Sequence, residues 1–83
     1  MIIKIIQIFY NYEMNDTNIK NTIAGNIRQY RAKYKISQEK LSEMTGISQQ
    51  HISNIENEQV NPSIETLLAI SNALNITVND LVY

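Results

Sequence analysis

The chain has 83 residues, which fits one domain and leaves no room for a second. It contains no Cys and one His, so it can form no disulfide and lacks the ligands of an ordinary zinc site. Its formal net charge of -1 contrasts with the excess of Lys and Arg that phosphate-binding proteins usually carry.

The first 13 residues, M-I-I-K-I-I-Q-I-F-Y-N-Y-E, are apolar on nearly every face. A membrane-spanning helix needs about 20 apolar residues, so this run is too short to cross a bilayer. It also lacks the basic start and the cleavage site of a secretory signal. Its periodicity fits a strand or a helix. Two interpretations stay open: a dimerisation arm that pairs with its copy in a second subunit, or an upstream extension of a chain that naturally starts at Met14.

The segment over residues 14–21 is polar and predicts a linker that ends in a helix cap at Asn21 or Thr22. We therefore assign residues 1–20 to an N-terminal extension and linker, and residues 21–83 to one folded domain. A first helix is predicted after the cap because apolar side chains recur there at helical spacing. These side chains belong to Ile23, Ile27, Tyr30 and Tyr34.

Arg31 falls on the same inward stripe as these apolar side chains. An unpaired buried charge is very costly, so Arg31 requires a partner. We expect that partner to be Glu56, at the end of the third predicted helix. Arg28, one turn earlier and off the stripe, is instead a candidate ligand for phosphate.

Two short helical patterns follow, separated by a tight turn around Gly46. Ser37 can cap the first of them, Gln38–Thr45, with its side-chain oxygen. Gly46 gives the backbone freedom that a sharp helix exit needs, and Ser48 can cap the next helix almost at once. Two helices joined by so short a turn cannot lie antiparallel, so they cross steeply. Residues 38–57 therefore predict a helix-turn-helix.

The second helix of this motif has an apolar side and an uncharged polar side. Ile52 and Ile55 are expected to point inward together with Ile47. The polar side consists of Ser48, Gln49, Gln50, Ser53 and Asn54. Glu and Lys would serve solubility better than amides, whereas Gln and Asn can pair bidentately with adenine in the major groove of DNA. This face is therefore a candidate base-reading surface.

The basic residues are distributed unevenly along the chain. Six of the seven lie between positions 20 and 40, and none follows Lys40. One interpretation is a basic surface beside the helix that carries the candidate base-reading residues. This surface would orient the domain on a DNA duplex. The other is a solvated helix face with no partner.

Two further helices are predicted after Pro62, which stops any continuation of the third helix. Ser63 can cap a fourth helix that ends at Asn75, and Thr77 can cap a last short one. The fourth helix has a broad apolar face formed by Ile64, Leu67, Leu68, Ile70, Ala73 and Leu74. We therefore expect it to be the central packing element, with Val78, Leu81 and Val82 closing the core.

The run S-Q-E-K-L-S-E-M-T-G-I-S-Q-Q-H-I-S-N-I-E-N, followed by N-P-S-I-E-T-L-L-A-I-S-N-A-L-N-I, resembles the Cro/C1-type helix-turn-helix family, also called the XRE family, of phage and bacterial repressors. The resemblance covers roughly residues 23–81. It implies an all-α, five-helix lambda-repressor-like domain that binds double-stranded DNA as a homodimer. The third helix would enter the major groove, with half-sites about 34 Å apart.

The resemblance also implies roles for single residues. Gln38 would contact phosphate and would hold the first base-reading residue of the third helix in position. Arg31 would pair with Glu56. Three departures accompany these matches. Glu58 stands where Gly is frequent, Asn61 remains as a neutral phosphate donor in a loop that is often basic, and hydroxyls replace two usual Ala residues. Those hydroxyls, at Ser42 and Thr45, should bond to the helix backbone.

The sequence thus predicts a DNA-binding transcriptional regulator, a repressor in the cytoplasm, with no catalytic set, metal, cofactor, membrane or small-molecule ligand implied. The predicted DNA contacts are Gln38, Ser48, Gln49, Gln50, Ser53, Asn54, Arg28, Lys40 and Asn61. The alternative is a protein-interaction module on the same scaffold. It is favoured by the net charge of -1 and by the lack of basic residues after Lys40.

Overall fold

The computed structural model describes residues 16–83, and in this part of the chain it contains five α-helices and no strand. The predicted all-α, five-helix architecture is confirmed. The helices are α1 (Asp16–Tyr34), α2 (Gln38–Thr45), α3 (Gln49–Glu56), α4 (Ile64–Leu74) and α5 (Val78–Val82). Both interpretations of residues 1–13, the dimerisation arm and the upstream extension, lie outside the described residues.

α1 begins earlier than the sequence predicts. It starts at Asp16, so the linker predicted over residues 14–21 is wrong from residue 16 onward. The predicted cap at Asn21 or Thr22 is also wrong, because both residues lie inside the helix. Ile19 packs against the core one turn before Ile23, which gives the first turns a reason to be helical. The side-chain amide of Asn21 also donates to Glu58 Oε2 at 3.2 Å. One apolar residue among polar ones gives no periodic signal, and only the folded contacts reveal this helical start.

The four later helices begin at the predicted caps. Ser37, Ser48 and Ser63 each accept a hydrogen bond from the backbone N–H three residues on. Thr77 forms a full capping box with Asp80, in which each side chain accepts from the other residue's backbone N–H. These bonds satisfy N–H groups that a helix start otherwise leaves without a partner. The helix boundaries after residue 37 therefore follow from local chemistry.

All five helices contribute to the core, in which α1 packs mainly against α3 and α5, and α4 packs mainly against α2 and α5. Its fully buried large side chains are Ile23, Ile27, Leu41, Ile52, Ile55, Leu67, Ile70 and Leu81. α1 is also tied to the end of α5, because the amide of Asn26 donates to the Leu81 carbonyl at 2.8 Å. The two helices of the helix-turn-helix, α2 and α3, are thus supported by α1, α4 and α5.

α4 does not bury its whole apolar surface. Ile64 and Leu68 are 46% and 47% exposed, so their predicted place in the core is wrong. They lie one turn apart on the side of α4 that turns away from Leu67 and Ile70. A helix at the edge of so small a domain has neighbours on one side only. We refer to Ile64 and Leu68 as the α4 strip.

Candidate nucleic-acid interface

The turn between α2 and α3 is fixed by backbone and hydroxyl hydrogen bonds. Gly46 adopts the left-handed conformation with φ 76°, and its N–H donates to the Ser42 carbonyl. The Ser42 hydroxyl donates forward to the Ile47 carbonyl at 2.5 Å. The Thr45 hydroxyl donates back to the Leu41 carbonyl at 2.8 Å and accepts from the Ile47 N–H at 3.1 Å. The Thr45 hydroxyl thus bonds to the helix backbone as expected, whereas the Ser42 hydroxyl bonds to a carbonyl of the turn, and together they hold the entry of α3.

α3 presents its polar side to solvent because its apolar side is firmly anchored. Ile52 and Ile55 are fully buried, and Ile47 packs against the core just before the helix. Gln49 and Gln50 are exposed on the opposite side. We call this surface the amide face; it consists of Ser48, Gln49, Gln50, Ser53 and Asn54. The structure therefore brings together all five base-reading candidates of the sequence on α3 and its N-cap.

The members of the amide face differ in how tightly they are held. The Gln50 amide donates to Asn54 Oδ1 at 3.0 Å, and the Asn57 amide donates to the Ser53 hydroxyl at 3.3 Å. The Ser48 hydroxyl oxygen accepts from the His51 N–H at 3.1 Å as the helix cap, which leaves its O–H to donate outward. Gln49 is exposed and has no such internal partner within residues 16–83.

Glu56, the last residue of α3, is a buried carboxylate at which several polar side chains converge. It is 3% exposed. Arg31 donates to both of its oxygens, from Nε to Oε2 at 2.7 Å and from Nη2 to Oε1 at 2.8 Å. Arg31 Nη1 also reaches the Ile36 carbonyl at 3.0 Å. The two residues expected to pair are thus in direct bidentate contact, and the pair joins α1 to the end of α3.

The contact with Glu56 stabilises the charged form of Arg31. Hydrogen bonding to Glu56 raises the pKa of Arg31 above its ordinary value, because the bond favours the charged guanidinium more than partial burial disfavours it. Arg31 therefore stays charged at every pH at which a protein is normally handled. A permanently charged partner is what a buried carboxylate at this position needs.

Gln38 belongs to the same cluster. Its amide donates to Glu56 Oε1 at 3.1 Å, and not to a residue of the amide face. The bracing of the first recognition residue, carried over from the family, is therefore not what this chain does in its unbound form. Gln38 instead links the start of α2 to the end of α3. Its contact with phosphate stays a prediction.

Arg28 also contacts Glu56, through the backbone rather than the carboxylate. One guanidinium nitrogen donates to the Glu56 carbonyl oxygen. Carbonyls at a helix C-terminus lack partners within the helix, and a cation placed there also suits the helix dipole. The sequence interpretation of Arg28 as a phosphate ligand does not include this contact, although Arg28 lies three residues before Arg31 and faces the same helix end. The guanidinium keeps further N–H groups for phosphate, so that role stays a prediction.

The remaining phosphate candidates lie at the margins of the motif. Lys40 is exposed and its Nζ lies 3.7 Å from Glu43 Oε1, an exposed pair of little energetic weight. Asn61 is half-buried in the loop before α4. Glu58 has φ 61°, so a side chain stands at the left-handed position where the family frequently has Gly.

Other kinds of site find no support in the part of the chain that the structure covers. Residues 16–83 contain no group of three His, Cys, Asp or Glu side chains placed to hold a metal ion. None of the five helices is both long and apolar enough to cross a bilayer. Lys33 lies over the rings of Tyr30 and Tyr34, 5.9 and 5.4 Å from their centroids, which marks these rings as packing partners of a lysine.

Comparison with known proteins agrees with this geometry. A family model described as Helix-turn-helix matches residues 27–81. Control protein C.SmaI of Serratia marcescens is 36% identical over 64 residues, covering 77% of this chain and 76% of that protein. The immunity repressor protein of Bacillus phage phi105 is 34% identical over 61 residues, which are 74% of this chain and 42% of the repressor.

A solved structure shares the fold. The restriction-modification controller protein C.AhdI from Aeromonas hydrophila superimposes with a TM-score of 0.72 at 26% identity, covering 75% of this chain and 94% of that one. The fold, the matching residues and these relatives agree. The chain belongs to the Cro/C1-type helix-turn-helix family of transcriptional regulators.

Proposed function

We propose that this regulator binds double-stranded DNA by placing α3 in the major groove, and that it acts as a repressor. The observation that carries the proposal is the amide face. It is uncharged, it is exposed at Gln49 and Gln50, and it is held outward by the buried side chains of Ile52 and Ile55. Amides placed this way can pair with the N6 and N7 edge of adenine.

The proposed phosphate contacts come from α1, from α2 and from the loop before α4. Arg28 and Lys40 supply charge, and both are exposed. Gln38 and Asn61 supply neutral donors, as phosphate contacts need not be charged. The acidic overall balance is no obstacle to this arrangement, because the basic residues are concentrated between positions 20 and 40. Local charge decides how a domain orients on a duplex.

The proposal includes a homodimer. A single short recognition helix reads few base pairs, and two copies on half-sites about 34 Å apart would double the contact. The α4 strip supports this, because Ile64 and Leu68 form an uncharged apolar patch that can meet its own copy across a two-fold axis without opposing like charges. The proposal also places the regulator in the cytoplasm, with no enzymatic activity of its own and no cofactor.

Selection of the purified chain against a random duplex library tests the proposal. We expect an enriched, two-fold symmetric site. Fluorescence anisotropy on that site should give an affinity that falls steeply with salt, by a slope of about 0.9 per phosphate contact on a double-logarithmic plot. A Gln29→Ala variant serves as the control, since Gln29 is an exposed glutamine on the α5 side of α1 and should not change the site.

The alternative function, a module that binds a protein partner, predicts a different outcome. No enriched duplex, from a chain that is folded by circular dichroism, would contradict DNA binding and favour that alternative. An affinity for DNA that barely responds to salt would also contradict the proposal, because it would mean that phosphate neutralisation contributes nothing.

A further inference from the structure

The hydrogen bond between Gln50 and Asn54 bears on how the amide face reads bases. The two residues lie four positions apart, so they are neighbours on one side of α3. Gln50 Nε2 donates to Asn54 Oδ1 at 3.0 Å. Gln49 differs, because its side chain makes no comparable bond inside residues 16–83. Two of the three amides at the front of the face are thus linked before any partner arrives.

The bond limits what each amide can still offer. The Gln50 amide has two N–H groups and one oxygen, and one N–H is engaged by Asn54. One N–H and the oxygen remain, which is the combination that adenine N7 and N6 require. Asn54 has its oxygen engaged, and its two N–H groups remain. These match an edge rich in acceptors, such as guanine O6 and N7 or thymine O4, and not the N4 amino group of cytosine.

An amide that is free to rotate can exchange the places of its oxygen and nitrogen, so it can adapt to a base that presents the opposite pattern. The Gln50 amide can do so only by losing its bond to Asn54 or by turning over together with the Asn54 amide, which would then donate to Gln50 Oε1. The orientations of Gln50 and Asn54 are therefore linked when they meet a pair of bases, while Gln49 keeps its freedom.

We propose that Gln50 and Asn54 read DNA as one coupled unit, in which Asn54 Oδ1 fixes the Gln50 amide for adenine and the Asn54 N–H groups select an acceptor-bearing neighbouring base. This inference rests on the proposed function. It adds a second role for Asn54. Besides any base that Asn54 itself contacts, Asn54 influences which base is preferred at the position that Gln50 contacts.

Two substitutions of Asn54 separate these contributions. Asn54→Asp keeps an oxygen acceptor for Gln50 but removes the N–H donors of Asn54. Asn54→Leu keeps a similar side-chain shape and removes the acceptor as well as the donors. The readout is the preference for adenine over the other bases at the position read by Gln50, measured by competition between operator variants. The added charge of Asp weakens binding to every duplex alike, so it cancels in this ratio.

We expect Asn54→Leu to reduce the adenine preference at the Gln50 position by about fivefold or more, the lower range for one bidentate amide and base pair. Asn54→Asp should leave that preference within about twofold, and the preference at the position read by Gln49 should not change in either variant. An unchanged adenine preference in Asn54→Leu would overturn the inference. So would an equal loss in both variants.

Failure of the inference can be distinguished from failure of the proposed function. If the parent chain selects a site and Gln50→Ala weakens it, but Asn54→Leu leaves the Gln50 position unaltered, then DNA is read by this face and only the coupling is wrong. If the parent chain selects no site, the proposed function is contradicted, and the inference that rests on it is contradicted as well.

A measurement without DNA gives a second test. In the unbound chain, side-chain amide resonances in nitrogen-edited NMR should show slower hydrogen exchange for Gln50 than for Gln49. The difference should persist in Asn54→Asp and vanish in Asn54→Leu. Equal exchange of the two glutamines in the parent chain would contradict a preformed pair.

Discussion

Glu58 occupies a backbone conformation that ordinarily favours glycine. Its φ is 61°, and it ends α3 by donating its N–H to the Ile55 carbonyl at 3.1 Å. A side chain in the left-handed region costs about 1–2 kcal/mol, because Cβ crowds the following carbonyl. The hydrogen bond from Asn21 to its exposed carboxylate offsets little of this cost.

We therefore expect Glu58→Gly to stabilise the domain. The gain should be about 0.5–1 kcal/mol, since the relief of strain is reduced by the greater freedom of glycine in the unfolded chain. Urea unfolding followed by circular dichroism measures it. Glu58→Gln, which removes the charge but keeps the strained side chain, is the matched control and should show no such gain. Equal stability of the Gly and Gln variants would rule out the backbone explanation.

At the scale of single residues, burial is easier to predict from sequence than the contacts of surface side chains. Arg31 lies on an apolar stripe, so its need for a carboxylate partner is visible in the spacing alone. The contacts of Arg28 and Gln38 with Glu56 are not visible in this way. Their side chains lie near the surface, where several rotamers are possible and no periodicity selects one. The bond between Gln50 and Asn54 cannot be predicted from the sequence for the same reason.

At the scale of elements, the contact between α1 and α3 depends on Arg31 and Glu56. Arg31→Met leaves a buried carboxylate without its charged partner, and we expect it to destabilise the domain by about 3 kcal/mol, the lower end for breaking such a pair. The double variant Arg31→Met with Glu56→Leu should recover at least half of that loss, since no buried charge remains. Urea unfolding of the four proteins of this double-mutant cycle gives the comparison.

The double variant also guards against an uninformative result. A domain of this size has only about 5 kcal/mol of stability to lose, so the single variant can unfold completely in buffer. In that case we still expect the double variant to fold. A double variant that is as unstable as the single one, or less stable, would show that the ion pair itself contributes more than a hydrophobic replacement.

The elements that sequence predicted well are those with a local signal. The caps at Ser37, Ser48, Ser63 and Thr77 fix four helix starts through their own side-chain chemistry. The start of α1 is supported by the packing of Ile19 against the core, which the sequence pattern does not reveal. On α4 all apolar residues look alike in sequence. Which of them are covered depends on where α2 and α5 lie, so the sequence alone does not predict that the α4 strip is exposed.

At the scale of the whole molecule, the α4 strip is the place to test the proposed dimer. Leu68→Glu puts a charge on a patch that would meet its own copy, and we expect it to weaken self-association by about tenfold or more. The fold should survive, because Leu68 is already 47% exposed. Sedimentation equilibrium over a range of concentrations measures the effect. Gln29→Glu, which adds the same charge elsewhere, should leave association unchanged.

An unaltered dimer in Leu68→Glu would place the subunit contact elsewhere on the chain. A parent chain that stays monomeric at high concentration and on its selected operator would contradict the homodimer itself. In the first case the reading of DNA by α3 is untouched, since the amide face and the α4 strip belong to different helices.

The central claim is that α3 reads bases through its amide face, and the most direct test is anisotropy of Gln49→Ala on the selected operator and on its single-base variants. The claim predicts a loss of about 1–3 kcal/mol in affinity, a relaxed preference at one base position, and an unchanged salt slope, because no phosphate contact is removed. Gln29→Ala should match the parent chain. Unchanged specific affinity in Gln49→Ala would contradict the claim.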